Sequence, residues 1–390
     1  MEVLFLCPWL PWPLNSGGKL RTFNLIRAVT PWARVHLRAV LEPDQGQADV
    51  DALAPYCASL KAYPREAAGT LMRLTHSKME RWFHSPALIR AVRAELHDTD
   101  FDLVHIDELL HARILPPPSS GRRPPVVQHH HKLDLDFAQS NPELSGLEGR
   151  FDAWKIGRLE RESAERHEHH LLCSQDDAAI LEARYPGLDC SVVPSGYDPD
   201  YFQPPATIPA REPDQLCFVG SMDYLPNVGA MTHFVQHILP LVRAERPDAT
   251  LAIVGRNPTK GIRRLAEHPG VEVTGAVDDV RPWLSSSAAM VVPLTIGGGT
   301  RLKIVEAMAM ECPVVSTSIG AEGLGMQHGR ELLLADGDGE FARATLAALQ
   351  DAEAARERAQ TAAAFVRQNL TWSRLAQRLA RVWREVSGLG

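Results

Sequence analysis

Short apolar runs alternate with longer amphipathic stretches along nearly the whole chain. That rhythm is the pattern of a parallel sheet covered on both faces by helices. The first half offers candidate strands at Val3–Cys7, Val35–Val40, Asp102–Ile106, Pro125–His129, His170–Ser174 and Ser191–Pro194. The second half offers Leu216–Ser221, Thr250–Arg256, Val271–Val277, Ala289–Leu294, Pro313–Thr317 and Glu331–Ala335. Two such series in 390 residues predict an α/β protein of two doubly wound, Rossmann-like domains. Sheets of this kind bind ligands at the carboxyl ends of their strands. The break between the series falls where Pro199, Pro204, Pro205, Pro209 and Pro213 cluster, because proline stiffens a connector without joining a sheet. The expected organisation is a first domain over 1–198, a linker over 199–213, a second domain over 214–370 and a final helix over 371–390.

Composition removes several classes of function. A formal charge of −7 argues against a dedicated nucleic-acid binder. The six cysteines (Cys7, Cys57, Cys173, Cys190, Cys217 and Cys312) form no CxxC pair, which fits a reducing, cytoplasmic setting. The opening Met1–Leu14 is apolar, but Pro8, Pro11 and Pro13 and the lack of a basic leader make it a strand and loop. No run approaches the roughly 20 apolar residues that span a bilayer. The stretch Lys61–His97 interleaves Lys61, Arg65, Arg73, Lys78, Arg81, Arg90 and Arg93 with Leu71, Met72, Trp82, Phe83 and Leu88. It reads as a helical pair, either solvated or lying peripherally on an anionic membrane. The histidine runs His129–His131 and His167–His170 lack zinc spacing, so no metal is expected.

The chemistry concentrates in Ala289–Ser318, AMVVPLTIGGGTRLKIVEAMAMECPVVSTS. A buried strand ends at Leu294, Gly297, Gly298 and Gly299 follow, and a helix opens near Thr300. Glycines admit a ligand close to the backbone, and the free N–H groups of a first helical turn attract anions. Arg301 and Lys303 stand in that turn, where cations oppose the helix dipole by about 0.3–1 kcal/mol unless an anion neutralises them. Glu306 follows in the apolar IVEAMAM run, as a ribose-hydroxyl acceptor or a helix-surface carboxylate.

This segment resembles the nucleotide-sugar signature of glycosyltransferase family 4, whose members have the GT-B fold of two Rossmann-like domains facing across a cleft. The resemblance extends through SGGKLR (Ser16–Arg21), FDLVH (Phe101–His105), PVVQHHH (Pro125–His131), VVPSGYDPDYFQP (Val192–Pro204), FVGSMDYLPN (Phe218–Asn227), IVGRNP (Ile253–Pro258), VTGAVDDVRPWL (Val273–Leu284) and STSIGAEGL (Ser316–Leu324). It implies a retaining transfer of sugar from a nucleotide-diphosphate donor to a hydroxyl acceptor, in polysaccharide, glycolipid or glycosylated-metabolite assembly. No cofactor beyond the donor is implied. The N-terminal domain would take the acceptor, the second the nucleotide sugar, and the last helix would cross back onto the first domain.

By the same resemblance Glu306 holds the donor ribose, and Gly297–Thr300 present N–H groups to sugar and phosphates. Val277 falls where the nucleobase is read, Gly17 and Gly18 face the donor phosphates and transferred sugar, and His131 lies near the reacting centre. Two departures stand out. Gly298 replaces the first of a usual glutamate pair. Ser221 and Pro226 occupy places where many members carry an arginine and a lysine, so Arg301 and Lys303 are expected to supply the missing charge. Asp107, Glu108 and His111 are read as acceptor-side residues or a structural loop. A nucleotide-sugar epimerase of the same fold and a non-catalytic nucleotide-sugar-binding partner are the alternatives.

Overall fold

The computed structural model describes residues 1–115, 123–140, 146–205, 211–296 and 301–389. Its first sheet contains β1 (Glu2–Cys7), β2 (Arg34–Leu41), β3 (Ser59–Pro64), β4 (Leu103–Asp107), β5 (Val126–His129), β6 (His169–Leu172) and β7 (Cys190–Val192). They lie in the order β3-β2-β1-β4-β5-β6-β7, every neighbour parallel. Helices cover both faces of such a sheet, which is why β4, β5 and β6 are buried along their whole length. β3 departs from the sequence expectation. It carries Lys61 on a half-buried edge strand, so the stretch read as a helical pair begins in the sheet. Helices follow at Met72–Thr75, Lys78–Trp82 and Pro86–Asp98.

The second sheet contains β8 (Glu212–Val219), β9 (Thr250–Val254), β10 (Val271–Gly275), β11 (Ser287–Val292), β12 (Val314–Ser316) and β13 (Leu333–Leu334). Their order is β10-β9-β8-β11-β12-β13, again all parallel. β8 starts inside the proline-rich stretch. Pro213 precedes Gln215, the first residue with a β9 partner, so its missing N–H removes no bond from that ladder.

Two units result. One joins Met1–Pro194 with Trp372–Gly390, and the other takes in Ser195–Gly297 and Arg301–Thr371. In the first, the helix Trp372–Ser387 packs on the helix Gly17–Val29. Its inward stripe is Trp372, Leu375, Ala376, Leu379, Ala380, Val382 and Trp383, a helical period. Each fully buried leucine of that stripe is worth about 1.5–3 kcal/mol. Both sheets reverse their winding at one point, between β1 and β4 and between β8 and β11. These are the positions where doubly wound sheets place ligands.

Candidate functional site

In the second unit, Gly297, Gly298, Gly299 and Thr300 lie outside the described residues. The helix that follows, Leu302–Ala309, is buried on nearly all sides. Lys303 and Glu306 are its half-buried positions, three residues apart and therefore on one face.

The Lys303 ammonium donates to Asn227 Oδ1 at 2.6 Å and stands 4.1 Å from the centre of the Phe218 ring. Asn227 is held for this by its own Nδ2 bond to Ser221 O at 2.8 Å. A Cβ on Gly220 would come within 3.0 Å of the Lys303 nitrogen. Lys303 thus brings its side-chain nitrogen to the Gly220–Ser221 turn from the helix that follows β11. Gly220 is also approached by Gly255, where any Cβ would collide with Gly220 O.

Burial, with the Arg301 charge behind it, pushes the Lys303 ammonium down to about 7. Burial pushes the Glu306 carboxyl up to about 7, against the pull of Lys303. Among the described residues no donor hydrogen-bonds the Glu306 carboxylate. Both groups hold their charge poorly as the protein stands. A diphosphate would restore one, and a sugar diol the other.

Arg301 is placed differently. Its Nη2 donates to Ile319 O at 2.7 Å and to Glu322 Oε2 at 3.0 Å, tying the helix start to the turn after β12. The guanidinium is already engaged locally, so of the two expected cations Lys303 is the better placed for a ligand. Val277 is half-buried just past β10, where Gly275 turns the chain at φ +71°. Beside it Arg281 grips Asp279 with two nitrogens at 2.8–3.0 Å and stacks over Tyr201 at 4.2 Å. Tyr201 donates to Asp279 at 3.4 Å and feels the Glu306 charge. Sequence reading placed Tyr201 in a linker and missed it.

The first unit gathers its polar groups at the end of β4. Asp107 is wholly buried and takes contacts on both oxygens. Oδ1 accepts from His131 Nε2 at 2.9 Å, with His129 Nδ1 at 3.1 Å and His105 Nε2 at 3.9 Å. Oδ2 accepts from Thr22 at 2.6 Å and from the Cys7 thiol at 3.6 Å. The chain then turns through Glu108 at φ +67°, which costs a side-chain-bearing residue about 1–3 kcal/mol. Glu108 N bonds to His129 O at 2.9 Å, and Gln128 Nε2 donates to Glu108 O at 2.9 Å, which fixes that turn.

The turn sets Glu108 Oε1 3.1 Å from His131 Nδ1, too obliquely for a good hydrogen bond, so the attraction is chiefly Coulombic. Burial opposes a charge on His131, but Asp107 and Glu108 outweigh it and hold the imidazolium up to about 10. Gly18 lies over this ring, where an added Cβ would sit 3.5 Å from Nδ1 and 3.4 Å from Trp9. Gly17 is the exposed first residue of the same helix, whose cap Ser16 accepts from Lys19 N at 3.3 Å.

His105, Asp107 and His129 are close enough to invite a metal. The tautomers speak against it. Arg21 Nη2 points at His129 Nε2 from 3.0 Å, which must be the lone-pair nitrogen, leaving the proton on Nδ1 toward Asp107. Trp383 Nε1 donates to His105 Nδ1 at 3.1 Å, so His105 also turns an N–H toward that carboxylate. Protons already surround the ligand atoms. Sequence reading named Asp107 but not Thr22, which bonds it, nor Arg21 and Trp383, which hold its histidines.

Known proteins carry the reading further. Residues 45–201 match the model described as Glycosyltransferase Family 4, and residues 213–351 match that of Glycosyl transferases group 1. Together these cover about three quarters of the chain. Sucrose-phosphate synthase from Thermosynechococcus elongatus has a similar structure (TM-score 0.77, 17% identity, 100% of each chain). So does Anabaena HepE in complex with UDP and glucose (TM-score 0.68, 18% identity, 99% of this chain and 100% of that one). A phosphatidyl-myo-inositol mannosyltransferase of Mycobacterium leprae is 26% identical over 100% of this chain and 98% of its own. An uncharacterised 44.6 kDa protein in the cps region of Klebsiella pneumoniae is 27% identical over 40% of this chain, a match spanning 42% of that protein.

The two Rossmann-like units have the GT-B fold, and both matching family models are of glycosyltransferases. The chain belongs to glycosyltransferase family 4.

Proposed function

We propose that the protein is a retaining glycosyltransferase using a nucleotide-diphosphate sugar, without further cofactor, to glycosylate a hydroxyl acceptor. The observation that carries this is the Lys303–Glu306 pair, two half-buried groups both near 7 on the helix that closes the β8/β11 switch point. As the sugar–phosphate bond breaks, negative charge collects on the departing diphosphate, and a desolvated ammonium is most effective against it. Glu306 would accept hydrogen bonds from the ribose and fix the nucleotide's position, while Val277 offers main-chain groups to the base. Gly297–Thr300 and Gly17 remain proposed phosphate and sugar contacts through their backbone N–H groups.

His131, held as a cation, would act electrostatically near the reacting sugar. A group at about 10 takes up no proton at neutral pH, so the acceptor's proton would pass to the donor phosphate. The two HepE complexes with UDP and with UDP-glucose support a nucleotide-sugar donor. The phosphatidyl-myo-inositol in the name of the mannosyltransferase relative favours a product in glycolipid or polysaccharide assembly. The reaction is proposed to take place in the cytoplasm, at or near a membrane's inner face.

The test is incubation with UDP-, GDP- and TDP-sugars and measurement of free nucleotide. Slow release abolished by Lys303→Ala supports the proposal. An isomerised donor would instead indicate an epimerase, and binding without either product a non-catalytic partner.

A further inference from the structure

The helix Leu147–Arg166 is inside out. Its buried residues are Gly149, Asp152, Lys155, Leu159, Glu160 and Ser163, mostly polar. The outward positions are Leu147, Glu148, Arg150, Phe151, Trp154, Arg158, Arg161 and Glu165. The inner face is held by polar bonds. Asp152 accepts from Lys78 N at 2.9 Å, Lys155 donates to Arg73 O at 2.9 Å, and Glu160 accepts from Arg184 at 2.6 Å. A helix of a water-soluble surface normally turns the opposite way. Here Leu147, Phe151 and Trp154 stand 86%, 44% and 56% exposed, with the Phe151 and Trp154 rings stacked 5.6 Å apart.

The first two of those bonds bring a second segment alongside. It carries Leu71 and Leu74, 81% and 62% exposed, followed by Met79 and Trp82. Seven of the fourteen exposed large hydrophobic side chains among the described residues thus belong to two touching segments. Basic groups surround them. Arg65 stacks on Trp82 at 3.8 Å, and Arg73, Arg81, Arg150 and Arg161 have no carboxylate partner among the described residues. A groove of about 1220 Å³ runs along the helix, lined by Arg150, Trp154, Arg158, Arg161, Glu162 and Glu165 among others. Arginine outnumbers the carboxylates Glu148, Glu162 and Glu165 on this face, on a chain of net charge −7.

We infer that this face docks on an anionic lipid bilayer, with Leu147, Phe151, Trp154, Leu71 and Leu74 entering the headgroup–acyl boundary and the arginines binding lipid phosphates. Tryptophan and phenylalanine with interspersed arginine match the chemistry of that boundary, and no deep pocket for a peptide anchor is needed. The sequence pattern pointed to Lys61–His97. The structure moves the centre of the surface to the Leu147–Arg166 helix, which the sequence reading did not consider. This gives a surface to the membrane contact proposed above, and it stands apart from donor chemistry.

Flotation of the full chain with phosphatidylcholine vesicles, with and without phosphatidylglycerol, tests it. The unaltered protein should float with phosphatidylglycerol vesicles and be released by sodium chloride. Phe151→Ser with Trp154→Ser should weaken binding at least about tenfold, as should Leu71→Ser with Leu74→Ser. Arg150→Glu with Arg161→Glu should abolish the preference for anionic lipid. These side chains are exposed, so thermal midpoints should be unchanged and nucleotide release from donor sugars should persist without vesicles. Failure of the unaltered protein to float, or equal flotation of the serine variants, overturns the inference. So does a dimer in solution that the serine variants split, which would assign the face to a second copy. Loss of nucleotide release with flotation intact would strike only at the transferase reading.

Discussion

The two switch-point clusters are built on opposite principles. At the end of β4, each charge in contact with His131 already has its complement: Asp107 faces three imidazoles, a hydroxyl and a thiol, and His131 stands between two carboxylates. At the end of β8, Lys303 has one neutral partner and Glu306 has none among the described residues. Burial weakens both charges there, whereas at His131 neighbouring carboxylates overcome it. The lesson is that burial alone does not make a reactive group. A saturated cluster fixes geometry and potential; an unsaturated one awaits a ligand to complete it.

Removing the hub of the saturated cluster should do the most damage. Asp107→Ala leaves His131 buried with a single counter-charge, and urea unfolding should show a loss of about 3–5 kcal/mol. A loss below about 1 kcal/mol would mean the cluster is not the structural keystone described. Glu306→Gln should instead leave stability near the unaltered value and weaken UDP binding, measured by calorimetry, by about ten- to a hundredfold.

pH separates the clusters further. In the proposed roles, diphosphate binding would need the Lys303 ammonium, lost as pH rises through about 7, and the ribose would need the Glu306 carboxylate, lost as pH falls through about 7. Nucleotide affinity should therefore peak near neutrality. Lys303→Met should erase the alkaline limb and Glu306→Gln the acid one; unchanged profiles would detach these residues from the ligand.

His131 follows the opposite sign from a depressed carboxylate. Its folded value lies above its ordinary 6.5, so its contribution to stability is complete below that pH and fades as pH rises toward about 10. His131→Gln should remove that decline, read from chemical denaturation at several pH values. The smallest effect is expected at Arg301. Because it already serves Ile319 and Glu322, Arg301→Ala should change nucleotide affinity by about 0.5 kcal/mol or less, far below Lys303→Ala.

Much of the layout was legible because it is written in local periodicity. Buried parallel strands read as unbroken apolar runs, and the Leu302–Ala309 helix announces Glu306 by setting it among apolar neighbours. β3 escaped because an edge strand such as Ser59–Pro64 is half-solvated and carries Lys61, which mimics a helix surface. The Asp107 cluster escaped for another reason. Its members arrive from 85 residues away at Thr22 and 24 at His131, distances over which no sequence spacing speaks. Periodicity also reveals stripes without saying which faces inward, and so the inversion of Leu147–Arg166 had to be seen in three dimensions.

One hydrogen bond reaches far along the chain. Trp383 donates to His105, 278 positions earlier, from a helix that follows the whole second unit. A ribosome making this protein exposes β1 through β7 long before that helix emerges, so the nascent first unit must wait with the apolar flank of Gly17–Val29 uncovered. A fragment carrying only the first seven strands should accordingly be a client for chaperones and a poor candidate for separate expression, whereas a circular permutant that joins Trp372–Ser387 directly to β1 would remove the delay.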